Sequence, residues 1–419
     1  MSLTLTHLRA LEILDSRGRP TLQVEAGLSS GARAVAQVPS GASTGTHEAH
    51  EWRDGGTWYG GKGVRGAVRH VAEIYAPALR GGPVEDQRAF DARLVAIDGT
   101  PDKSRTGANA VLGISCAVAR AVAAARGEPL YRTLALGEPR LPMPMINIFS
   151  GGLHAGGNVE FQDFLIIPHG LPTMAEVLAA AVRIHGAAGE LVRRSGYVLT
   201  GVADEGGWGP WLRGNEEALS LLTAAIAEAG YTPGGEVSIA IDVASTHFYR
   251  AGRYHLASEK RSLTGAEMVE LLEGWCSRFP VVSIEDGLAE DDWEGWVRLT
   301  KRLGHVQLVG DDLFTTNGER LRRGIECGAA NAVLVKMNQI GTLTETLDVC
   351  RQARAGGYRA VISARSGETE DSFLADLATA TGAGQIKIGS VTRSERLAKY
   401  NRLLELEGWD GLSFCTETL

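Results

Sequence analysis

The sequence has few cysteines, no excess of positive charge and no long apolar run. Its five cysteines among 419 residues show no CxxC pair or repeated spacing, which favours reduced thiols over a disulfide framework. The formal charge of −8 argues against a nucleic-acid-binding protein. We find no apolar stretch near the roughly 20 residues that span a bilayer, and residues 1–10 lack the features of a signal peptide. These absences predict a cytoplasmic protein that binds neither nucleic acid nor membranes.

Length and composition predict a folded protein with two domains. A chain of 419 residues exceeds what one hydrophobic core usually organises, and 44% hydrophobic with 22% charged residues is typical of globular proteins. The first part shows strand patterns at 3–14 and 21–28 and helical patterns at 66–80 and 109–126. From Pro142 onward, short apolar runs alternate with helical segments, which indicates a parallel sheet or barrel. We therefore predict an α+β domain over residues 1–137 and a barrel domain over residues 138–419.

The second part contains eight runs with the character of buried strands. They are 164–167, 198–202, 238–241, 281–284, 306–309, 332–335, 360–363 and 385–388. Polar residues stand at or beside most of their ends: Asp204, Glu205, Asp242, Glu285, Asp286, Asp311, Asp312, Lys336, Arg365, Ser366 and, within its run, Lys387. The later units recur at intervals of about 22 to 29 residues, close to one strand plus one helix. This spacing favours a closed (β/α) barrel, whose active site forms where the carboxyl ends of the strands meet.

A simpler explanation exists for each of these polar residues taken alone. A charged residue after a strand is often only a helix cap or a solvated turn. The recurrence of the pattern over six consecutive units favours the explanation by a functional site.

Asp242, Glu285 and Asp311 offer carboxylate oxygens on successive strand ends, without sulfur or imidazole. Such ligands suit Mg²⁺, which accepts a few carboxylates and completes its octahedron with water and substrate oxygens. Lys336 and Lys387 are expected beside them. A lysine near a divalent cation and a second lysine has its neutral form favoured, so it could act as a general base. The alternative is that these lysines only form ion pairs with the acids.

A metal, a base and a carboxylic acid together indicate proton removal next to a substrate carboxylate. Glu205 could then protonate a leaving group. The residues Arg365-Ser366-Gly367 follow a strand and open a helix, which provides a guanidinium, a hydroxyl and backbone amides for a phosphate. The glycine-rich segments 40–45 and 151–157 have the composition of lids that close over a substrate, or of ordinary flexible loops.

The chain resembles the enolase family over nearly its whole length. The motifs that carry the resemblance lie at 15–21 (DSRGRPT), 39–45 (PSGASTG), 283–288 (SIEDGL), 309–313 (VGDDL), 336–341 (KMNQIG), 365–371 (RSGETED) and 385–387 (QIK). The resemblance implies an α/β fold, an enolase-type (β/α)8 barrel with an N-terminal α+β capping domain. It also implies a homodimer or octamer. The use of a Lys or His base with one or two Mg²⁺ ions is an established property of that superfamily.

The resemblance also implies a role for each matching residue. Asp242, Glu285 and Asp311 match the ligands of a tightly bound Mg²⁺, and Ser43 matches the loop residue that helps to hold a second Mg²⁺ with the substrate. Lys336 matches the base and Glu205 the acid. The residues that match substrate contacts are Ser43, His154, Gln162, Lys336, Arg365, Ser366 and Lys387, with His154 on a lid. The substrate would be a small phosphorylated carboxylic acid.

Three residues depart from the family pattern. Ala364 stands where the family has His, Asp163 where it has a catalytic Glu, and Ala203 where it has Gly. All three are expected at the barrel mouth, while the metal ligands and the base are kept. We therefore predict a divergent paralogue that acts on phosphoenolpyruvate or 2-phosphoglycerate with a phosphonate co-substrate. Its product would be an enolpyruvyl ester, as in carboxyphosphonoenolpyruvate synthase of phosphonate biosynthesis.

Two alternatives remain open from the sequence. The first is an ordinary enolase, a lyase that interconverts 2-phosphoglycerate with phosphoenolpyruvate and water. The second is a non-catalytic, enolase-like binding protein. Retention of the metal acids and both lysines argues against the second.

Overall fold

The computed structural model describes residues 2–42 and 45–414. Its N-terminal part begins with an antiparallel sheet of three strands in the order β1-β2-β3. The strands are β1 (Leu5–Leu14), β2 (Pro20–Leu28) and β3 (Arg33–Gln37). Five α-helices and a π-helical turn follow: α1 (Arg65–Arg69), the turn His70–Tyr75, α2 (Ala76–Leu79), α3 (Gln87–Asp98), α4 (Ala108–Arg126) and α5 (Leu130–Thr133). Sheet and helices together form the predicted α+β unit.

Helix α4 is the central helix of this part. It packs on β2 and β3, and a methyl group added at Gly113 would lie 2.6 Å from Val24 Cγ2. By length and composition α4 could cross a membrane, but 83% of that stretch is buried inside the protein. The prediction that no stretch approaches this length is therefore wrong. The apolar run serves the core instead, because α4 is covered by other elements on most sides.

The second part is a closed barrel of eight strands, as predicted. In spatial order they are β10 (Val281–Glu285), β11 (Gln307–Gly310), β12 (Ala332–Val335), β13 (Arg359–Ser363), β14 (Gly384–Gly389), β4 (Met143–Ser150), β5 (Asp163–Ile167) and β6 (Ser238–Asp242). Strand β5 runs antiparallel to both neighbours, and the other pairs are parallel. The predicted fold class, a barrel with an N-terminal α+β domain, is confirmed. The boundary between residues 137 and 138 stays a prediction.

One of the eight predicted strands, the one at residues 198–202, is wrong. Residues 198–202 form an extended loop, in which Val202 makes a single bridge to Trp208 and Val198 is 79% exposed. A barrel strand must be buried, and these residues do not contact the core on both faces. The missing strand is β4, which is buried along its whole length. Its composition, with Pro144 and Asn147, concealed it from the sequence pattern.

Helices surround the barrel. They are α6 (Met174–Arg194), α7 (Asn215–Glu228), α8 (Gly265–Arg278), α9 (Trp293–Leu303), α10 (Gly318–Cys327), α11 (Met337–Ile340), α12 (Leu343–Ala355), α13 (Phe373–Thr381) and α14 (Ser394–Gly408). A small antiparallel sheet, β7 (Tyr249–Arg250), β8 (Arg253–Leu256) and β9 (Arg261–Leu263), lies between β6 and α8. Several helices start at side-chain caps; for example, Thr264 and Glu267 form a capping box at α8.

The N-terminal part joins the barrel mouth through a backbone bridge. Ser40 and Gly367 exchange two hydrogen bonds, of 2.8 and 2.9 Å. A methyl group added at Gly367 would lie 2.3 Å from both Arg17 Nη2 and Asp15 Oδ2, and 2.6 Å from the Ser40 carbonyl oxygen. Glycine is therefore required for this close approach between the two parts.

We expect Gly367→Ala to lower the free energy of unfolding by about 1–3 kcal/mol, because the added methyl group must push the bridge apart. Urea unfolding measures this change. The matched control is Gly274→Ala in α8, where an added methyl group meets nothing within 4 Å. Alanine is the better helix former, so the control should gain about 0.5–1 kcal/mol. Equal stability of Gly367→Ala and the wild type would mean that the bridge yields freely.

Candidate active site

The structure brings most of the predicted site residues around one cavity at the barrel mouth. The cavity is lined by His154, Gln162, Glu205, Asp242, Lys336, Ser363, Ala364, Arg365, Ser366 and Lys387. Strand β5 contributes because it is reversed: its first residue lies at the end of the barrel where the parallel strands finish, with Asp163 paired to Asp242. Ser43 falls outside the described residues.

Asp242 and Glu285 end neighbouring strands and share one ammonium group. Lys387 Nζ donates to Asp242 Oδ2 at 2.7 Å and to Glu285 Oε2 at 2.8 Å. Burial opposes ionisation of Asp242, but Lys387 outweighs it and the pKa of Asp242 is lowered. Burial and the charge of Asp242 raise the pKa of Glu285 well above its usual value. The pKa of Lys387 is raised well above its usual value, because the two carboxylates outweigh its burial.

Asp311 follows β11 and pairs with the second lysine. Lys336 Nζ donates to Asp311 Oδ2, and Gln339 Nε2 donates to Asp311 Oδ1 at 3.0 Å. Burial alone would lower the pKa of Lys336, but the charge of Asp311 outweighs it and the pKa is raised. The sequence predicted the opposite direction. That prediction concerns Lys336 beside a divalent cation, which would draw the Asp311 carboxylate away from the lysine and favour its neutral form, so it stays a prediction.

The donor set suits a hard divalent cation. Asp242, Glu285 and Asp311 are all carboxylates and are buried. Within the described part of the chain, Glu285 Oε1 is buried without a hydrogen-bond partner, and so is Oε1 of Gln162, whose Nε2 donates to Asp242 Oδ2 at 3.0 Å. Unpaired buried oxygens of this kind suit a cation that prefers oxygen ligands.

Among residues 2–42 and 45–414, two groups of three have candidate ligand atoms within 4.8 Å of one another: His154, Asp163 and Glu205, and Asp286, Asp311 and Asp312. The predicted set Asp242, Glu285 and Asp311 is not one of them. In the second group, both oxygens of Asp286 accept backbone N–H groups, from Asp311 at 2.9 Å and from Asp312 at 2.8 Å. Asp286 therefore holds the segment that carries Asp311 and is not itself an open ligand.

His154, Asp163 and Glu205 form a buried cluster. His154 Nδ1 lies 3.1 Å from Asp163 Oδ2, and His154 Nε2 lies 3.8 Å from Glu205 Oε1. Burial disfavours the charged imidazole, but the two carboxylates outweigh it and raise the pKa of His154 to about 9. The pKa of Glu205 is lowered despite its burial, mainly by His154. Burial raises the pKa of Asp163. The cluster can therefore carry a proton near neutral pH.

The cluster and Lys336 stand on opposite sides of the mouth. Lys336 follows β12, and Asp163 begins β5, which is four places away in the closed order of eight strands. In a closed barrel this separation is half of the circumference. Lys336 and the cluster of His154, Asp163 and Glu205 therefore face each other across the cavity.

Arg365 and Ser366 form the side of the mouth where the sequence predicts phosphate binding; it is called the anion-binding side below. Arg365 is buried, with its backbone N–H donating to Glu368 Oε1 at 3.0 Å. Ser366 Oγ accepts hydrogen bonds from Arg17 Nη1 at 3.1 Å and from the Ala42 N–H at 2.7 Å. These donors leave the hydroxyl hydrogen of Ser366 available for another acceptor.

The sequence did not reveal three residues that support this side. Glu48 and Gln339 contact Arg365 and Asp311, respectively. The fully buried Arg396 donates to the carbonyl oxygens of Arg365, Ser366 and Ile388 at 2.7 to 2.9 Å. Glu48 and Arg396 follow no strand end, and Gln339, although it lies within the motif 336–341, was assigned no role there. One feature of the sequence could have indicated Glu48 as a site residue: it lies three residues after the glycine-rich segment 40–45.

Two family models match the chain. A model described as "Enolase, N-terminal domain" matches residues 5–134, and one described as "Enolase, C-terminal TIM barrel domain" matches residues 138–412. A protein named "Enolase" from Acidothermus cellulolyticus is 54% identical over 402 residues, which cover 95% of this chain and 92% of that protein.

This relative overturns the functional prediction made from the sequence. The assignment to a paralogue that forms a phosphonate ester, like carboxyphosphonoenolpyruvate synthase, is wrong, because 54% identity over 95% of the chain supports the ordinary alternative. The three departures were given too much weight. Ala364 is 6% exposed and lines the cavity beside the retained Arg365 and Ser366, and Asp163 still contacts His154 despite its shorter side chain.

Proposed function

Because this chain belongs to the enolase family and is a lyase of that family, we propose that it interconverts 2-phosphoglycerate with phosphoenolpyruvate and water. The observation that carries this proposal is the placement of Lys336 on one side of the cavity and the cluster of His154, Asp163 and Glu205 on the opposite side. Elimination of water needs a base at one carbon and an acid at the next. Groups on opposite sides suit removal of the proton and the hydroxyl from opposite faces of the substrate.

We assign the proton removal to Lys336, which stands next to the metal acids. Asp242, Glu285 and Asp311 would hold Mg²⁺. When bound, Mg²⁺ supplies positive charge beside the substrate carboxylate and makes the adjacent C–H bond more acidic. Lys387 contributes a second positive charge to the same carboxylate, because its pKa lies well above the usual value and it remains an ammonium group.

We assign protonation of the leaving hydroxyl to Glu205, with the proton supplied by its cluster. His154 carries the proton at neutral pH, since its pKa is about 9, and its Nε2 lies 3.8 Å from Glu205 Oε1. Asp163 holds the other ring nitrogen and so orients the imidazole. Arg365 and Ser366 would bind the phosphate, and Gln162 would contact the substrate. Ser43 would complete a second Mg²⁺ site with the substrate.

The homodimer or octamer and the cytoplasmic location stay predictions. Both follow from the family resemblance and from the composition of the chain.

A turnover assay tests the proposed function. With Mg²⁺, the purified protein should convert 2-phosphoglycerate at about 10 per second or more, a rate typical of enzymes. The ultraviolet absorbance of phosphoenolpyruvate follows the reaction. A chelator should stop it, and added Mg²⁺ should restore it. A protein that forms no phosphoenolpyruvate under these conditions would refute the proposal.

A further inference from the structure

We propose that Glu48 is a positioning residue, which holds the guanidinium of Arg365 in the orientation that receives the substrate phosphate. This inference rests on the proposed function, since it takes Arg365 to be the phosphate-binding group. Glu48 lies in the N-terminal part of the chain, in the segment that follows β3, and Arg365 lies in the barrel. The contact therefore couples the loop above the mouth to the anion-binding side.

The first observation is a buried two-point contact. Arg365 Nη1 donates to Glu48 Oε2 at 3.0 Å, and Arg365 Nη2 donates to Glu48 Oε1 at 3.2 Å. The side chains are 2% exposed for Arg365 and 10% for Glu48. Two parallel hydrogen bonds between a guanidinium and a carboxylate fix the plane of the guanidinium as well as its distance. Arg365 Nη1 also donates to Asn338 Oδ1 at 2.9 Å, which restrains the same nitrogen from a second direction.

The second observation is that Glu48 is itself held in place. Its Oε1 accepts hydrogen bonds from the Gly45 N–H at 3.0 Å and from Gln339 Nε2 at 3.3 Å. Gln339 Nε2 also donates to Asp311 Oδ1 at 3.0 Å. The carboxylate of Glu48 thus belongs to a network that reaches a proposed metal ligand. A side chain restrained on both sides can orient Arg365 before the substrate arrives.

Electrostatic repulsion alone would give Glu48 the opposite effect on phosphate binding. A carboxylate beside Arg365 repels a phosphate, so removal of its charge would strengthen phosphate binding. Positioning predicts the reverse, because a guanidinium that is already ordered loses less conformational entropy when the phosphate binds. The two effects differ in sign, and one measurement distinguishes them.

The experiment measures binding of phosphoenolpyruvate by calorimetry in the presence of Mg²⁺. We expect Glu48→Gln to weaken binding about tenfold, the usual effect of losing one charge-assisted contact. The matched control is Glu51→Gln, three residues later in the same loop, because the charge of Glu51 also acts on Arg365 while its hydrogen bonds go to Arg53 and Ser40. The control should change the dissociation constant by less than about twofold. Tighter binding by Glu48→Gln would overturn the inference.

A double-mutant cycle tests whether Glu48 acts through Arg365. In an Arg365→Ala background, Glu48→Gln should weaken binding further by less than about twofold, because the group that it positions is gone. If the losses of affinity caused by the two substitutions multiplied in the double variant, Glu48 would have a general structural role, and the inference would be overturned. Glu48→Asp keeps the charge on a shorter side chain and should bind with intermediate affinity. Glu48→Asp replaces Glu48→Gln in these measurements if thermal unfolding shows that Glu48→Gln does not fold.

Binding and turnover separate the two proposals. A wild type that binds phosphoenolpyruvate without dehydrating 2-phosphoglycerate would refute the proposed function and leave the role of Glu48 to be decided by the cycle. A wild type that does not bind phosphoenolpyruvate would refute both.

Discussion

Lys336→Ala is expected to abolish the exchange of the α-hydrogen of 2-phosphoglycerate with solvent. Lys336 is the proposed base, and removal of a general base typically slows a reaction by about 10²–10⁴-fold. Incubation in heavy water with Mg²⁺ measures the exchange by NMR or mass spectrometry. The exchange assay isolates proton removal from the later loss of the hydroxyl group.

The control for charge is Lys336→Arg. Arginine keeps a positive group that can pair with Asp311, but its pKa is too high for a base near neutral pH. Both variants should therefore be inactive in exchange. If Lys336→Arg exchanged at the wild-type rate, the positive charge of Lys336 and not its basicity would be its contribution. If Lys336→Ala exchanged normally, another group would be the base.

Asp311→Asn is expected to weaken Mg²⁺ binding by more than about 100-fold. Mutation of a residue that only hydrogen-bonds to a metal ligand already lowers metal affinity by about 10–100-fold, and Asp311 is a proposed ligand itself. The amide keeps the size of the side chain and can still accept the hydrogen bond from Gln339. It removes the negative charge and an oxygen that can bind the cation strongly. Calorimetric titration with Mg²⁺ measures the loss independently of turnover.

Asp312→Asn is the matched control for this substitution. Asp312 is the next residue and is equally buried, at 6% exposure. Burial, assisted by the charge of Asp311, raises the pKa of Asp312 to about 8. A neutral amide therefore resembles the state of Asp312 near neutral pH, and Mg²⁺ affinity should change little. Equal loss in both variants would point to disruption of the segment and not to loss of a ligand.

The mutual arrangement of the acids and lysines shows where the sequence was sufficient. Asp242, Glu285 and Lys336 each stand at or just after a strand end. Parallel barrel strands finish at the same end, so spacing along the chain was enough to predict that these side chains converge. The family motifs then supplied the expected role of each residue.

The reversed strand marks the limit of that argument. Strand β5 is antiparallel to both neighbours, so Asp163 reaches the mouth from the start of its strand. A strand pattern has the same period in either direction, and the sequence could not show which end of β5 faces the site. Strand β4 was missed for a different reason: it is buried along its whole length, lacks alternation and contains Pro144 and Asn147. The exposed apolar loop at 198–202 was predicted as a strand instead.

Local motifs determined the fold class, the family and the residue types of the site in this protein, because their chemistry depends on neighbours along the chain or on a regular strand spacing. Only the tertiary structure decided the pairing of charges. Glu48 meets Arg365 from 317 residues away, and Arg396 donates to backbone carbonyls behind the site. The direction of the pKa shift of Lys336 likewise depends on burial and on the position of Asp311. Electrostatic interactions act through space, and distances in space are set by the complete fold.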